Sequence, residues 1–454
     1  MYDVIVVGGG ISGAVAAIAS SRAGAKTLLV ERYGFLGGML TAAGVGPMMT
    51  FHVGQEQVIQ GITGELIDRL KNKGKSPGHV VDTIGYTYTI TPFDAEGMKY
   101  ELECMLLESG GELLYHTQLV DTKVENGKIK EIIVSNRGGL QSLSAKVFID
   151  GTGNADLSYL AGVPCVKGRP QDGAMQPMTT NMKMTNVDTD AIRAYIKAHP
   201  EEFPYLEGNT DIIDESSILA VSGFAKTLEK GLETGELTFK IEGILFFETN
   251  NKGEVIINTT RIHGYDPTDP WSFTKAEIEG RRQAMELETF FRNRVKGFEN
   301  AVLVHTGPEI GVRSSRQIEG EYVLTIEDII TSKKFYDVIA HGGYPVDIHS
   351  PDGEEEVITE DMHLPKNSMY SAPYRSLINN HITNLITVGR CISATFEAQG
   401  AIRVTPMAGA IGHGGGVAAA LAAKQGGKAS DISISTLQAV LKEQGAYLNL
   451  EGSQ

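Results

Sequence analysis

The sequence predicts an α/β chain: a discontinuous nucleotide-binding domain, built on a parallel sheet plus a β-meander, and a second α+β domain laid over it. Three observations predict it. The chain opens on strand formers, "YDVIVV", that run into GxGxxG at Gly8, Gly10 and Gly13, then a helix-compatible stretch and a second strand, "KTLLVE". A further apolar strand, "AKVFID", ends in a second small glycine turn at Gly151 and Gly153. Near the other end, "NLITVGR" supplies a strand ending at Gly389, followed by a glycine- and alanine-rich helix that starts near Pro406.

The first glycine turn has a physical purpose at each position. Gly8 makes the tight turn, Gly10 lets a pyrophosphate approach the backbone, and Gly13 lets helix and strand pack closely. The helix that follows, with Ile11 and Ser12 in its first turn, points free N–H groups and its dipole at the phosphates. Glu31 lies 18 residues beyond Gly13, close to the spacing of an acid that grips a ribose, and its charge disfavours a 2′-phosphate. "ERYGFLGGMLT" places Arg32 beside that acid and adds a second glycine pair, Gly37-Gly38, before Met39, Leu40 and Thr41. Such a backbone can lie along a long dinucleotide; a flexible loop is the competing reading. The apolar run Val4 to Ala19 also resembles an export signal, but an acidic Asp3 precedes it and glycines interrupt it, so a cytoplasmic chain is expected.

"TPFDAEGMKYELECML" reads as a helix capped by Asp94 and stopped at Gly110-Gly111, and Asn126-Gly127 marks a hairpin between two strands. Sheet character and the two glycine turns assign 1–165 and 365–427 to the nucleotide-binding domain. The stretch 166–364, with alternating strands and one long helix, forms the substrate domain. That helix is expected to start on a Thr274–Glu277 capping box and to carry Arg281 and Arg282 on a solvated face. Residues 428–454 form a helical tail.

Composition narrows the function. With 454 residues, 41% of them hydrophobic and 21% charged, the chain has room for two or three globular units. A net charge of −16 argues against a nucleic-acid partner. The 3 cysteines, Cys104, Cys165 and Cys391, are far apart, which excludes a CxxC redox pair or an in-chain iron–sulfur cluster; no metal site is expected. No segment is long and apolar enough to span a bilayer.

The motifs "DVIVVGGGISG", "VFIDGTGNADLSYLAG", "TRIHGYDPTDP", "GVRSSRQIEGEYVLT", "GGYPVDIHSPDG", "APYRSLI" and "VGRCISATFEAQGAIRVTPMAGAIG" together resemble FAD-dependent oxidoreductases of the glutathione-reductase type. Within them the likeness is to a bacterial group related to the fumarate-reductase and heterodisulfide-reductase flavoproteins. This resemblance implies a Rossmann-like domain that binds FAD rather than NAD. It implies pyrophosphate over Gly8, Gly10 and Gly13, the ribose on Glu31, adenine near the Val120 backbone, and Gly389-Arg390 near the ribityl chain. "AIGHGGGVAAALA" departs from the group, with His413 and three glycines, so this helix is expected to be looser or specialised.

A flavin enzyme must also place a substrate and manage its charge and proton. The helix beginning near Pro406, with Arg403 and Thr405 at its start, is the candidate for the flavin's pyrimidine edge. Arg313 and Arg316 in "GVRSSR" suit a carboxylate, with ion pairing to Glu309, Glu319 or Glu321 as the competing reading. His349 and His52 are the candidate bases, against plain loop histidines, and Tyr344, Asp347, Tyr374 and Arg375 are candidate pocket residues. The expected function is an FAD-dependent oxidoreductase transferring hydride between flavin N5 and a small polar organic molecule, an anion among the candidates. Two other readings stay open: a flavoprotein subunit of an electron-transfer complex, and a nucleotide-binding protein without redox turnover. The electron acceptor and any homo-oligomer are left open.

Overall fold

The computed structural model describes residues 1–241, 243–353 and 362–450. Residues 354–361, at the end of the expected second domain, and 451–454, in the expected tail, lie outside the described residues.

The strand Tyr2–Val7 is the middle of a five-stranded, wholly parallel sheet in the order Leu385–Thr387, Ala145–Asp150, Tyr2–Val7, Thr27–Val30, Glu112–Leu114. Its side chains alternate between two cores. Val4 and Val6 face one with the helix Ile11–Arg22, while Ile5 and Val7 face another with Ile129, Ile132 and Val134 of the meander. Burial on both faces is why the strand reads as unbroken Val and Ile rather than as an alternating pattern. The meander, Gln118–Glu125, Lys128–Asn136 and Gly139–Leu143, is antiparallel, and its first turn has Asn126 and Gly127 at φ 50 and 68°.

The helix Thr405–Lys424 packs along Ile11–Arg22. A Cβ on Gly412 would stand 2.1 Å from the Ser12 carbonyl oxygen, and one on Gly416 2.2 Å from that of Ala16. These glycines bring two helix backbones together, so the helix is tightly packed where the sequence suggested looseness. His413 is buried, with Nε2 2.9 Å from Gln444 Oε1, and burial pushes its pKa down to about 4. It lines neither cavity described below.

A second sheet, antiparallel throughout, runs Ala220–Gly223, Ile244–Glu248, Val255–Ile257, Met182–Thr185, Val302–Thr306. The helix Pro270–Arg294 buries Ala284, Leu287, Phe290 and Phe291 in a core shared with that sheet. It begins one turn before the expected Thr274 box, because Asp269 caps it by accepting from the Ser272 N–H and Pro270 fills its first turn. Arg281 and Arg282 pair with Glu277, Glu279 and Glu286 on its exposed face. Buried residues between Leu324 and Ile348 join the core around the parallel sheet, upstream of the expected return at 365. The tail after Lys428 contributes the helix Ile434–Glu443.

Candidate active site

At the carboxyl ends of the parallel strands lies a cleft of about 430 Å³, where open α/β sheets take their ligands. Gly8, Gly10, Ile11 and Ser12 line it from the first turn, Gly151 and Gly153 from the second, and Gly389 from the last strand. A Cβ on Gly13 would come 1.9 Å from the Gly8 carbonyl oxygen, so Gly13 holds the turn from behind and does not line the cleft. The second glycine pair closes on the first: Gly37 donates its N–H to the Gly9 carbonyl at 2.8 Å, and Gly38 and Met39 reach the cleft. Leu40 and Thr41 do not; Leu40 is buried, and Thr41 Oγ1 donates to the Leu36 carbonyl at 2.7 Å.

Glu31 accepts the Gly9 N–H at 2.5 Å and the Tyr33 N–H at 2.8 Å, fixing its carboxylate at the cleft wall. Burial pushes its pKa up to about 7, against the lowering effect of the Gly9 bond and Arg32. Arg32 forms an ion pair with Glu309, and both line the cleft. Val120, whose backbone is expected near adenine, turns its side chain to solvent, and its neighbours Thr117, Gln118 and Leu119 line the cleft.

A second cavity of about 840 Å³ adjoins the cleft and shares Met39, Arg390, Arg403 and Thr405 with it. Arg403 sits in the turn between the helices Phe396–Ile402 and Thr405–Lys424. Its Nη2 donates to Asp347 Oδ2 at 2.8 Å and to the Asp347 carbonyl at 3.0 Å. Tyr344 donates its hydroxyl to Asp347 at 3.2 Å, and His349 Nε2 stands 3.7 Å from the other carboxylate oxygen. Burial works against a charged Asp347, yet His349, Arg403 and Arg313 outweigh it and hold the carboxyl well below the usual range. Arg313 donates to the Pro177 carbonyl at 2.6 Å, to Thr179 and to Asn258. Two buried amides tie these segments together: Gln399 donates to the Arg313 carbonyl at 2.8 Å, and Gln176 accepts the His349 N–H at 3.3 Å.

The junction fits a large anionic cofactor. Arg390 is engaged by the neutral Asn154 amide at 2.8 Å, and the Nε groups of Arg390 and Arg403 are buried with no hydrogen-bond partner among the described residues. The helix Thr405–Lys424 starts here with no side-chain cap, leaving its first N–H groups to a ligand.

The remaining candidates lie elsewhere. Arg316 belongs to the cofactor cleft, paired with Asp156 at 3.0 Å and stacked over Tyr159 at 4.2 Å, not with any of the three glutamates expected. Tyr374 is buried and donates to the Ala429 carbonyl at 2.9 Å; Arg375 pairs with Asp337 at 3.0 Å; neither lines a cavity. His52 lines neither cavity: its Nδ1 is 2.9 Å from Thr89 Oγ1, and burial lowers its pKa. Packing of the short strand His52–Val53 under Gly343 turns it away. Sequence reasoning missed Asn154, Asp156 and Arg261 as lining residues although all three stand inside the family motifs. Tyr86 and Phe247 carried no signal at all. Among the described residues no group of three His, Cys, Asp or Glu could hold a metal, and no helix is long and apolar enough to cross a membrane.

A sequence model of FAD dependent oxidoreductases matches residues 3–441. A thiamine thiazole synthase from Methanococcus aeolicus is 25% identical over 179 residues, covering 37% of this chain and 60% of that enzyme, less than two thirds of its length. Among solved structures, a geranylgeranyl bacteriochlorophyll reductase-like protein from Thermoplasma acidophilum is 13% identical, with a TM-score of 0.48 over 97% of this chain and 82% of that one. The myxobacterial chondrochloren halogenase, an FAD-dependent enzyme, is also 13% identical, with a TM-score of 0.48 over 98% and 78%. Similarities at these scores carry no argument about chemistry. The family match does: this chain belongs to the FAD-dependent oxidoreductases.

Proposed function

We propose that this member of the FAD-dependent oxidoreductase family is a dehydrogenase or reductase, exchanging hydride with an organic anion held in the 840 Å³ cavity. One observation carries the reading: Arg403 walls both the cofactor cleft and the cavity while bonded to Asp347. When bound, FAD supplies the two-electron redox chemistry. Gly8 to Ser12 and the helix behind them would hold its pyrophosphate, Glu31 its ribose, and Thr117 to Leu119 its adenine end. Arg390 and the N–H groups of Thr405 and Met407 would face the isoalloxazine, where negative charge is best met by fixed donors.

The chain's own groups divide the remaining work. Arg313 and Arg403 orient an anionic group, since a guanidinium binds a carboxylate through paired donors. Asp347 stays ionised throughout the physiological range and therefore serves as a charge partner, not a proton acceptor. His349, beside it, is the proton acceptor, and Asp347 stabilises the imidazolium that results.

Anaerobic titration of the FAD-loaded protein with organic acids of differing oxidation state tests this. Bleaching of the flavin band by one of them is expected, slowed about 10²-fold or more in His349→Gln with binding retained. Reduction only by dithionite or a partner protein would sink the proposal in favour of an electron-transfer subunit.

A further inference from the structure

The cavity beside the cofactor cleft is chemically divided. Met49, Ile84, Leu245 and Phe247 line it, and all four belong to one apolar cluster with Ile90 and Ala220. None of the four lines the cofactor cleft, whereas Arg390, Arg403 and Thr405 line both spaces. Asp347 and His349 gather with Arg403 beside the cofactor cleft, Arg261 and Arg313 line the cavity alone, and the four apolar residues form one continuous stretch of its wall. Tyr86 and Tyr344, edge to face at 5.8 Å, add aromatic surface between them. Two polar residues in the walls, Thr179 and Asn258, are already engaged by Arg313.

A small hydrophilic acid would satisfy the junction and leave the half-buried Met49 and Leu245 of this wall, with the edges of Ile84 and Phe247, uncovered. Covering such surface is favourable by about 25 cal/mol per Å². Beside the cofactor cleft, the guanidiniums of Arg403 and Arg313 share one carboxylate, that of Asp347, while Arg390 is met by the neutral Asn154 amide.

We infer that the substrate is a monocarboxylate with an extended apolar body, its carboxylate on Arg403 and its aryl or alkyl part along Ile84, Leu245 and Phe247. This rests on the reading of the cavity as the substrate site. It narrows the substrate from small polar anions to amphiphilic ones.

The test is calorimetric binding of acetate, benzoate, 2-naphthoate and 2-naphthamide to the FAD-loaded protein, with the flavin difference spectrum as a second readout. Affinity should rise by about tenfold or more from acetate to 2-naphthoate, as burial of the extra rings predicts. It should fall about tenfold or more for the uncharged 2-naphthamide, which lacks the charge-assisted contact. Leu245→Gln should weaken 2-naphthoate and leave acetate unchanged. Equal binding of acetate and 2-naphthoate, equal binding of the acid and its amide, or no binding of any of the four would each overturn the inference. Turnover is not read, so the two proposals fail separately. Naphthoate binding without reduction by any organic acid would sink the redox reading alone. Reduction by a short hydrophilic acid that naphthoate cannot displace would sink this one alone.

Discussion

Arg403 and Asp347 form a two-point contact, at 2.8 Å to the carboxylate and 3.0 Å to the main-chain carbonyl, at the place where cofactor cleft and cavity meet. Breaking a buried pair strands the surviving charge. Asp347→Asn should cost stability toward the lower end of roughly 3–5 kcal/mol, since Asp347 keeps some exposure. The folded-state pKa of Asp347 is depressed, so its contribution is present above the unfolded carboxylate range and is lost as pH falls through the folded value. Denaturant unfolding of both proteins should show a gap that narrows as pH falls below about 4. A gap that goes on widening below that pH would refute the assignment.

Glu31 titrates near neutrality in the FAD-free protein, at about 7. Because that value is raised, the contribution of Glu31 to the FAD-free fold is full below the ordinary carboxylate range and is lost as pH rises through about 7. In the proposed contact, ribose hydroxyls donating to Glu31 would favour the ionised form, so FAD binding is expected to release a proton there. FAD affinity should climb between pH 5 and 7, by at most about tenfold per pH unit, and Glu31→Gln should flatten the slope. Fluorescence titration with FAD across that range checks it.

Arg32 and Glu309 pair across the cofactor cleft, with Arg32 43% exposed and Glu309 8%. A pair with one exposed partner is worth about 0–1 kcal/mol. Glu309→Gln should speed FAD release by up to about fivefold, and the difference should shrink in high salt. Stopped-flow recovery of free FAD fluorescence measures it; no change in release rate at low salt would show that the pair does not span the bound cofactor.

Gly412 leaves no room for a side chain against Ser12, whose residue lines the cofactor cleft. Gly412→Ala should cost at least about 1–3 kcal/mol through overpacking and should also lower FAD retention, because the displaced backbone belongs to the glycine turn. Denaturant midpoint and flavin content, measured together, read both. Ala at Gly64, a helical glycine whose added Cβ would meet nothing nearer than 3.6 Å, is the matched control.

Much of the cofactor half was legible because its determinants are local. A glycine turn, the strand before it and an acid 18 residues on are written in consecutive residues, and backbone sterics leave few ways to satisfy them. The Asn126-Gly127 turn and the Asp94 cap were readable for the same reason. Where the reading failed, a local motif lost to a neighbour in sequence or in space. Asp269-Pro270 outcompeted Thr274 as a helix start. Tyr374, Arg375 and His52 are of the right residue types for a pocket, but buried partners elsewhere hold them.

By itself the sequence determined the α/β class and the strand, glycine turn and helix that open it, since periodicity and spacing are properties of the chain alone, and its motifs carried the resemblance to the FAD-dependent oxidoreductases. Only the tertiary structure decided which charges meet. Asp347 lies 56 residues from Arg403, and Phe247 lies 163 residues from Ile84, so no spacing rule relates the members of either pair. They are neighbours because two sheets and the helix pair at Arg403 fold around one cavity, where His349, Arg403 and Arg313 keep Asp347 charged against the cost of its burial and distant segments supply the apolar wall.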